Sequence, residues 1–327
     1  ENVTANDFPS EWNAISLELD VSGERLNRAW GAVSHLNSVA DNPELRAAYN
    51  EALPKISAFG AKISADERLY AKYRALRNSR EFDTLSAAQK KIVENELRDF
   101  RLGGAELPAA QKARFKEIQE ALSKLSSRFE ENVLDTTNDY ALYVHDVQTL
   151  QGIPQDVLQA AADAAAAENK MGWKFTLHFP SYLPVLQYAD NRELRETLYR
   201  AYATRASEFG KPEWDNTPII AEILKLRHEA AQLLGFENYA ELSIATKMAD
   251  SAKHVKDFLQ DLALRAKPFA LRDKIELDEY AAKLGITDMQ AWDVSYVSEK
   301  LREDKYAFSD LEVKQYFPEA KVLDGLF

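Results

Sequence analysis

The sequence has 327 residues, of which 46% are hydrophobic and 29% are charged. This composition is typical of a globular protein and excludes a fibrous or disordered chain. The net charge of −12 disfavours nucleic acid as a partner, because nucleic-acid-binding surfaces are basic. The absence of cysteine excludes disulfides and cysteine-bound zinc, and it fits a reducing compartment. No apolar run reaches the ~18 residues of a membrane-spanning helix, so we expect a cytoplasmic protein without a membrane partner.

Residues 1–138 are predicted to form an N-terminal helical bundle. The expected helices cover 32–57, 66–78, 86–102 and 108–137. The last is the clearest, because its apolar residues recur every three or four positions and so share one face: Phe115, Ile118, Leu122, Leu125, Phe129 and Val133. Two glycines at 103 and 104 favour a helix end after residue 102. A long coiled coil is the alternative, and the frequent prolines and glycines argue against it.

The pattern changes between residues 139 and 180. Residues 140–145 are rich in aromatic and β-branched side chains, which is typical of a strand. An alanine-rich helix is predicted over 155–170, and residues 173–178 alternate between apolar and polar as a second strand would. We expect the strands near 140–146 and 173–179 to form a small β insert in a mainly α protein.

Residues 181–327 are predicted to be helical again. One helix starts at Asp190 or Asn191, and another runs from Pro218 to Gly235. A long helix is expected over 251–284, bent at Pro268. An aromatic cluster near the end is expected to lie mostly in the core, with a peptide-binding wall as the alternative: Trp292, Tyr296, Tyr306, Phe308, Tyr316 and Phe317.

The five histidines give no convincing metal site. A zinc-peptidase helix needs histidines at positions i and i+4 with a glutamate after the first. His228 and Glu229 begin such a pattern, but its last position is Gln232, a poor zinc ligand. His145 and His178 stand in the two predicted strands and could come close if these strands pair. We therefore predict no catalytic or metal residue in this chain, and the sequence assigns no substrate-binding residue.

Several blocks of sequence resemble a known family in both their order and their spacing. They are 34–39, 88–91, 97–100, 132–137, 180–185, 200–207, 214–216, 223–240, 245–249, 292–293, 298–300, 316–318 and 325–327. Together these blocks resemble the thimet-type zinc oligopeptidases, which include neurolysin and dipeptidyl carboxypeptidase. One departure is Val297, where relatives usually have a second tyrosine after the one matching Tyr296.

The resemblance implies an almost all-helical, two-lobed fold with a deep channel and zinc at its floor. It implies an enzyme that cleaves short peptides and excludes folded proteins. Family members have an H-E-x-x-H helix and a further glutamate beyond the point matching Phe327, so zinc is expected in the full-length enzyme and not on this chain. The expected role here is that of an N-terminal, non-catalytic half that forms one channel wall and has a C-terminal catalytic half as its partner.

Two classes of function stay open at this point. The first is the non-catalytic half of a zinc oligopeptidase, with short peptides as substrates of the whole enzyme. The second is a helical binding or scaffold protein with no catalytic activity. The expected domains are residues 1–138, 139–180 and 181–327, the last leading to the catalytic half.

Overall fold

The computed structural model describes residues 2–308 and 310–326, and it is mainly α-helical, as the sequence predicts. The helices are α1 (Trp12–Val39), α2 (Pro43–Ser64), α3 (Glu67–Arg77), α4 (Arg80–Thr84), α5 (Ala87–Leu102), α6 (Ala109–Asp139), α7 (Gln155–Ala166), α8 (Phe179–Tyr188), α9 (Arg192–Ala203), α10 (Thr217–Leu233), α11 (Tyr239–Ile244), α12 (Ala252–Lys283), α13 (Val294–Tyr306), α14 (Asp310–Lys314) and α15 (Glu319–Leu326). Two short strands, β1 (Leu142–Val144) and β2 (Trp173–Phe175), lie between α6 and α8.

Helices α3 and α5 each begin directly after a residue whose side chain caps the helix. The Asp66 side chain accepts hydrogen bonds from the first backbone N–H groups of α3. At α5, Ser86 and Gln89 form a reciprocal capping box. The following glycines end α5 as predicted, since Gly103 is its C-cap and Gly104 has a φ of 87°.

The single helix predicted over 32–57 is wrong. The structure has two helices there, because α1 ends at Val39 and α2 begins at Pro43. The Asn42 side chain accepts a hydrogen bond from the backbone N–H of Leu45, and proline at the first helical position lacks an N–H that would need a partner. The break has a signal in the sequence, because Asn followed by Pro is typical of a helix start. This signal is stronger than the apolar periodicity that suggested one continuous helix.

The two predicted strands do pair, and they are shorter than expected. They run antiparallel, with Leu142 opposite Phe175 and Val144 opposite Trp173. The α7 helix between them ends at Ala166, earlier than predicted. The mainly α fold with one small β insert is thereby confirmed.

The long helix predicted over 251–284 is present as α12. It continues through Pro268. Gly285 follows it with a φ of 80°, a left-handed conformation that glycine adopts without steric cost.

Contacts within the chain define two compact units. The first contains residues up to Glu131 together with Thr217–Ala252. Its core has one cluster around Leu76 and Val93, and a second in which α6 and α10 pack through Phe115, Ile118 and Leu226.

The second unit contains Asn132–Asn216 and the residues from Lys253 onward. Its core is formed by side chains of the β insert and of helices α7 to α9. Among them, Phe175, Val185 and Leu198 are fully buried. Burial of these side chains contributes about 1.5–3 kcal/mol each.

Candidate functional site

A cavity of about 590 Å³ lies inside the first unit. Its apolar floor includes Phe115 and Leu122 of α6 and Ala230 of α10. Cavities of this size are typical of small-molecule sites.

The walls of this cavity combine small residues with basic ones. The α2 side has only small residues, Ser57, Gly60, Ala61 and Ser64. Three lysines line the other parts, Lys112, Lys116 and Lys247.

The His228 region of α10 forms an ion pair with α6. Arg114 donates from Nε and Nη2 to the two carboxylate oxygens of Glu229, at 2.6 and 2.7 Å. These hydrogen bonds lower the pKa of Glu229. His228 is exposed, and the Gln232 amide donates to the backbone oxygens of Phe236 and Glu237. Both Glu229 and Gln232 therefore have structural partners.

His145 and His178 are not brought together by the strand pairing. Each residue follows the C-terminal end of its strand, and antiparallel pairing places those ends at opposite ends of the ladder. His145 lies beside Gly172, whereas His178 is the N-cap of α8. The strands pair, but the approach of the two rings that such pairing would have allowed does not follow, because the strands are antiparallel.

The residues described do not fit the zinc ion that the family resemblance implies. Among the described side chains, those of residues 2–308 and 312–326, no three His, Asp or Glu residues lie together as possible metal ligands. We therefore assign no catalytic step to these residues.

The second unit contains a buried ion cluster that links α9 to the start of α13. Arg195 donates from Nη2 to Asp293 Oδ1 at 2.7 Å, and Arg192 donates from Nη2 to Asp293 Oδ2 at 2.7 Å. Burial acts to raise the pKa of Asp293, but hydrogen bonds from Arg192, the Gln290 backbone and Arg195 outweigh it and lower that pKa.

Tyr296 extends this cluster. Its ring centroid lies 4.1 Å from the Arg195 guanidinium carbon, and its hydroxyl donates to Asp190 Oδ1 at 2.9 Å. Burial and the Asp190 carboxylate raise the pKa of Tyr296 to about 12. Val297, the departure from the family pattern, is fully buried. Sequence reasoning missed this cluster, because about a hundred residues separate the arginines from Asp293.

Helix α12 exposes apolar side chains along most of its length. Phe258, Leu262 and Phe269 form one stripe, and Leu264, Leu271 and Ile275 form another. Each of the six is at least half exposed. Apolar residues on more than one side of a helix are typical of a buried helix. The sequence of α12 therefore indicates burial, whereas its apolar side chains are exposed in the structure.

The C-terminal aromatic cluster is mostly exposed, so the expectation that it lies in the core is wrong. Tyr306, Phe308, Tyr316 and Phe317 are 60%, 42%, 74% and 64% exposed. Trp292 and Tyr296 are partly buried. The aromatic content predicted burial, but the described part of the chain has too few elements around these four rings to provide it.

The helices of the described residues include none with the length and apolar character needed to span a membrane.

Comparison with known proteins identifies the family. A model described as "Neurolysin/Thimet oligopeptidase, N-terminal domain" matches residues 3–112, and a model described as "Peptidase family M3" matches residues 185–327. Residues 185–327 thus form a peptidase family M3 domain, and residues 3–112 an N-terminal domain of the neurolysin and thimet oligopeptidase type. The resemblance seen in the sequence blocks is confirmed.

Curated relatives of this chain include oligopeptidase A from Haemophilus influenzae, which is 47% identical over 97% of the chain and 47% of the relative. Oligopeptidase A from Salmonella typhimurium is 45% identical over the whole chain and 48% of the relative. A probable cytosolic oligopeptidase A from Arabidopsis thaliana is 38% identical over 97% of the chain and 46% of the relative. The chain thus spans about half the length of the curated relatives it matches.

Proposed function

We propose that this chain is the N-terminal, non-catalytic half of a zinc metallo-oligopeptidase that hydrolyses short peptides. The supporting observation is 45–47% identity to oligopeptidase A across the chain, with a match to about half of each relative. The N-terminal-domain model matches ahead of the peptidase model, which is the order expected for that half. The zinc and its ligands would belong to the remaining half.

The proposed contribution of this half is confinement of the substrate. It would form one wall of a channel that admits short, unfolded peptides and excludes folded proteins. The catalytic half, in the same or a separate polypeptide, would be its partner. We also propose that the enzyme is cytoplasmic, in keeping with the probable cytosolic oligopeptidase A of Arabidopsis thaliana.

The exposed residues of α12 supply a physical reason for such a partner. Contiguous apolar surface of more than a few hundred Å² is rare on monomeric proteins and usually belongs to an interface. A second half, about as long as this chain in the relatives, is a sufficient source of covering elements.

The proposal is tested by combining the two halves. We expect the 327-residue chain alone to retain no stoichiometric zinc after dialysis and to cleave no quenched fluorescent peptide. Together with a separately expressed C-terminal half containing H-E-x-x-H, it should form a complex in size-exclusion chromatography with light scattering. The complex should cleave the peptide in a chelator-sensitive manner.

Three results would contradict the proposal. One zinc per chain would place metal ligands in this half, and chelator-sensitive cleavage by the chain alone would make it catalytic. A stable 37 kDa monomer that does not bind the added half would favour a helical scaffold or binding protein instead.

A further inference from the structure

The cavity of the first unit is lined by basic side chains and by no acidic side chain among the described residues. Three lysines line it, although the chain has a net charge of −12. Lining by lysines and hydroxyl groups provides hydrogen-bond donors, whereas the floor is apolar. This combination favours a ligand that has both a negative group and an apolar part.

The space in the cavity results from the sequence of α2. Ser57, Gly60, Ala61 and Ser64 follow one another at helical spacing and form a stripe without large side chains. A Cβ added at Gly60 would meet no atom within 4 Å. The stripe therefore leaves room that an ordinary helix face would fill.

The floor is well packed and has no charged group. Phe115 is 7% exposed and Ala230 is 1% exposed, and both belong to the α6–α10 core. An apolar group on this floor would be removed from water, at a gain of about 25 cal/mol per Å² of buried apolar surface.

The basic groups have donors left for a ligand. Lys112 pairs with Glu67, and Lys116 pairs with Glu120 at 3.7 Å, but neither carboxylate lines the cavity. Lys247 Nζ donates to the Ser243 hydroxyl at 2.6 Å. Because an ammonium group has three N–H donors, each of these lysines can also donate to an anion.

An alternative role for the lysines is to compensate the partial negative charge at the ends of helices. Helices α2 and α5 both end at the cavity, and the C-terminal end of a helix has a partial negative charge. A purely structural role predicts that replacing the lysines lowers stability and leaves ligand binding unchanged. The open space beside them is the observation that this role does not explain.

We propose that this cavity binds a small organic anion, a carboxylate attached to an apolar group. The proposal does not rest on the peptidase function, because it is argued from lining residues of the first unit alone. A cavity of about 590 Å³ suits an organic molecule of this kind better than a bare inorganic ion.

Isothermal titration calorimetry of the 327-residue chain tests this with three probes: 4-phenylbutyrate, its neutral amide and inorganic phosphate. We expect one 4-phenylbutyrate per chain, with affinity that falls as salt rises, and at least about tenfold weaker binding of the other two. The double variant Lys116→Gln, Lys247→Gln should lose about tenfold in affinity. Lys225→Gln, an exposed lysine of α10 outside the lining, is the matched control.

A second pair of variants tests the space itself. Gly60→Leu should block binding, whereas Gly31→Leu, on α1 with equally open surroundings, should not. Circular dichroism melting of each variant establishes that it is folded. The proposal is overturned if 4-phenylbutyrate does not bind the folded chain, if the amide binds equally well, or if the lysine variant and Gly60→Leu bind like their controls.

Discussion

Arg195 and Asp293 form an ion pair from which water is almost entirely excluded. The Arg195 Nη2–Asp293 Oδ1 distance is 2.7 Å, and the two side chains are 1% and 0% exposed. Arg195 also donates to the backbone oxygen of Ala189 at 2.7 Å. The pair connects α9 to the residues that begin α13, so it fixes one helix against another within the second unit.

Replacing Asp293 with alanine should destabilise the chain strongly. Removing one partner of a buried pair leaves the other charge uncompensated, at a cost of about 3–5 kcal/mol. Urea denaturation followed by circular dichroism measures this change. The control is Glu196→Ala, which breaks the exposed Glu196–Arg200 pair of the same helix and should cost no more than about 0.5 kcal/mol. Equal losses of unfolding free energy in the two variants would show that the buried Arg195–Asp293 pair contributes no more to stability than an exposed pair does.

The contribution of Asp293 should also depend on pH. Its pKa is lowered in the folded chain, whereas an unfolded aspartate has a pKa of about 3.9. The stabilisation is therefore complete above the unfolded-state pKa and is lost as pH falls through the folded-state pKa. We expect the difference in unfolding free energy between the native chain and Asp293→Asn to be constant from pH 7 to 5 and to shrink below pH 4. A difference that stays constant to pH 2 would mean that another group is responsible.

The sequence predicted those features that depend on local order. The apolar stripe of α6, the starts of α3 and α5 near residues 66 and 86, and the two short strands all have their signals within a few residues. The ion cluster has no such signal, because Arg195 and Asp293 become neighbours only when α9 packs beside α13. The exposure of Tyr316 and Phe317 could not be predicted either, since an aromatic side chain indicates burial without indicating which element provides it.

The candidate cavity was likewise invisible in the sequence. Its lysines come from α6 and from the segment after α11, and its small residues come from α2. Gly60 and Ala61 lay beyond the helix predicted over 32–57, although the structure places them in α2. A local sequence pattern does not show whether another element packs against a given helix face. The cavity exists because no side chain fills the space beside these residues, so the sequence pattern could not predict it.

Gly60→Ala should stabilise the chain by about 0.5–1 kcal/mol. Gly60 lies inside α2, where glycine is less favourable than alanine, and the added Cβ meets nothing within 4 Å. Gly235→Ala is the control, because its Cβ would also meet nothing, but its φ is 80°. That substitution should destabilise the chain, since alanine is strained at positive φ. Thermal unfolding of both variants distinguishes the effect of backbone conformation from the effect of steric space, since only the backbone conformation differs between the two sites. If both substitutions stabilised the chain, positive φ at Gly235 would not be a source of strain for alanine.

His228→Ala should leave both folding and metal content unchanged. The ring is exposed, so its removal should change the unfolding free energy by less than about 0.5 kcal/mol. Glu229→Gln removes the charge paired with Arg114 and should cost more, up to about 1 kcal/mol. In the proposed full-length enzyme, zinc measured by atomic absorption should be the same with and without His228. Loss of zinc from a folded His228→Ala variant would show that this helix has a metal-binding role.

The apolar residues of α12 should become covered when the proposed catalytic half is present. Phe258 and Phe269 are each 61% exposed and lie on the same stripe, so replacing both with serine should leave the stability of the chain alone nearly unchanged. If the second half packs on this stripe, the double variant should bind that half at least about tenfold more weakly, because each buried phenylalanine contributes about 1.5–3 kcal/mol. Phe209→Ser is the matched control, since Phe209 is 77% exposed and lies in the segment between α9 and α10. Sedimentation velocity with each variant and the separately expressed half gives the affinities. Undiminished binding by the double variant would exclude this stripe from the interface, whereas weakened binding by Phe209→Ser as well would mean that the loss does not depend on α12.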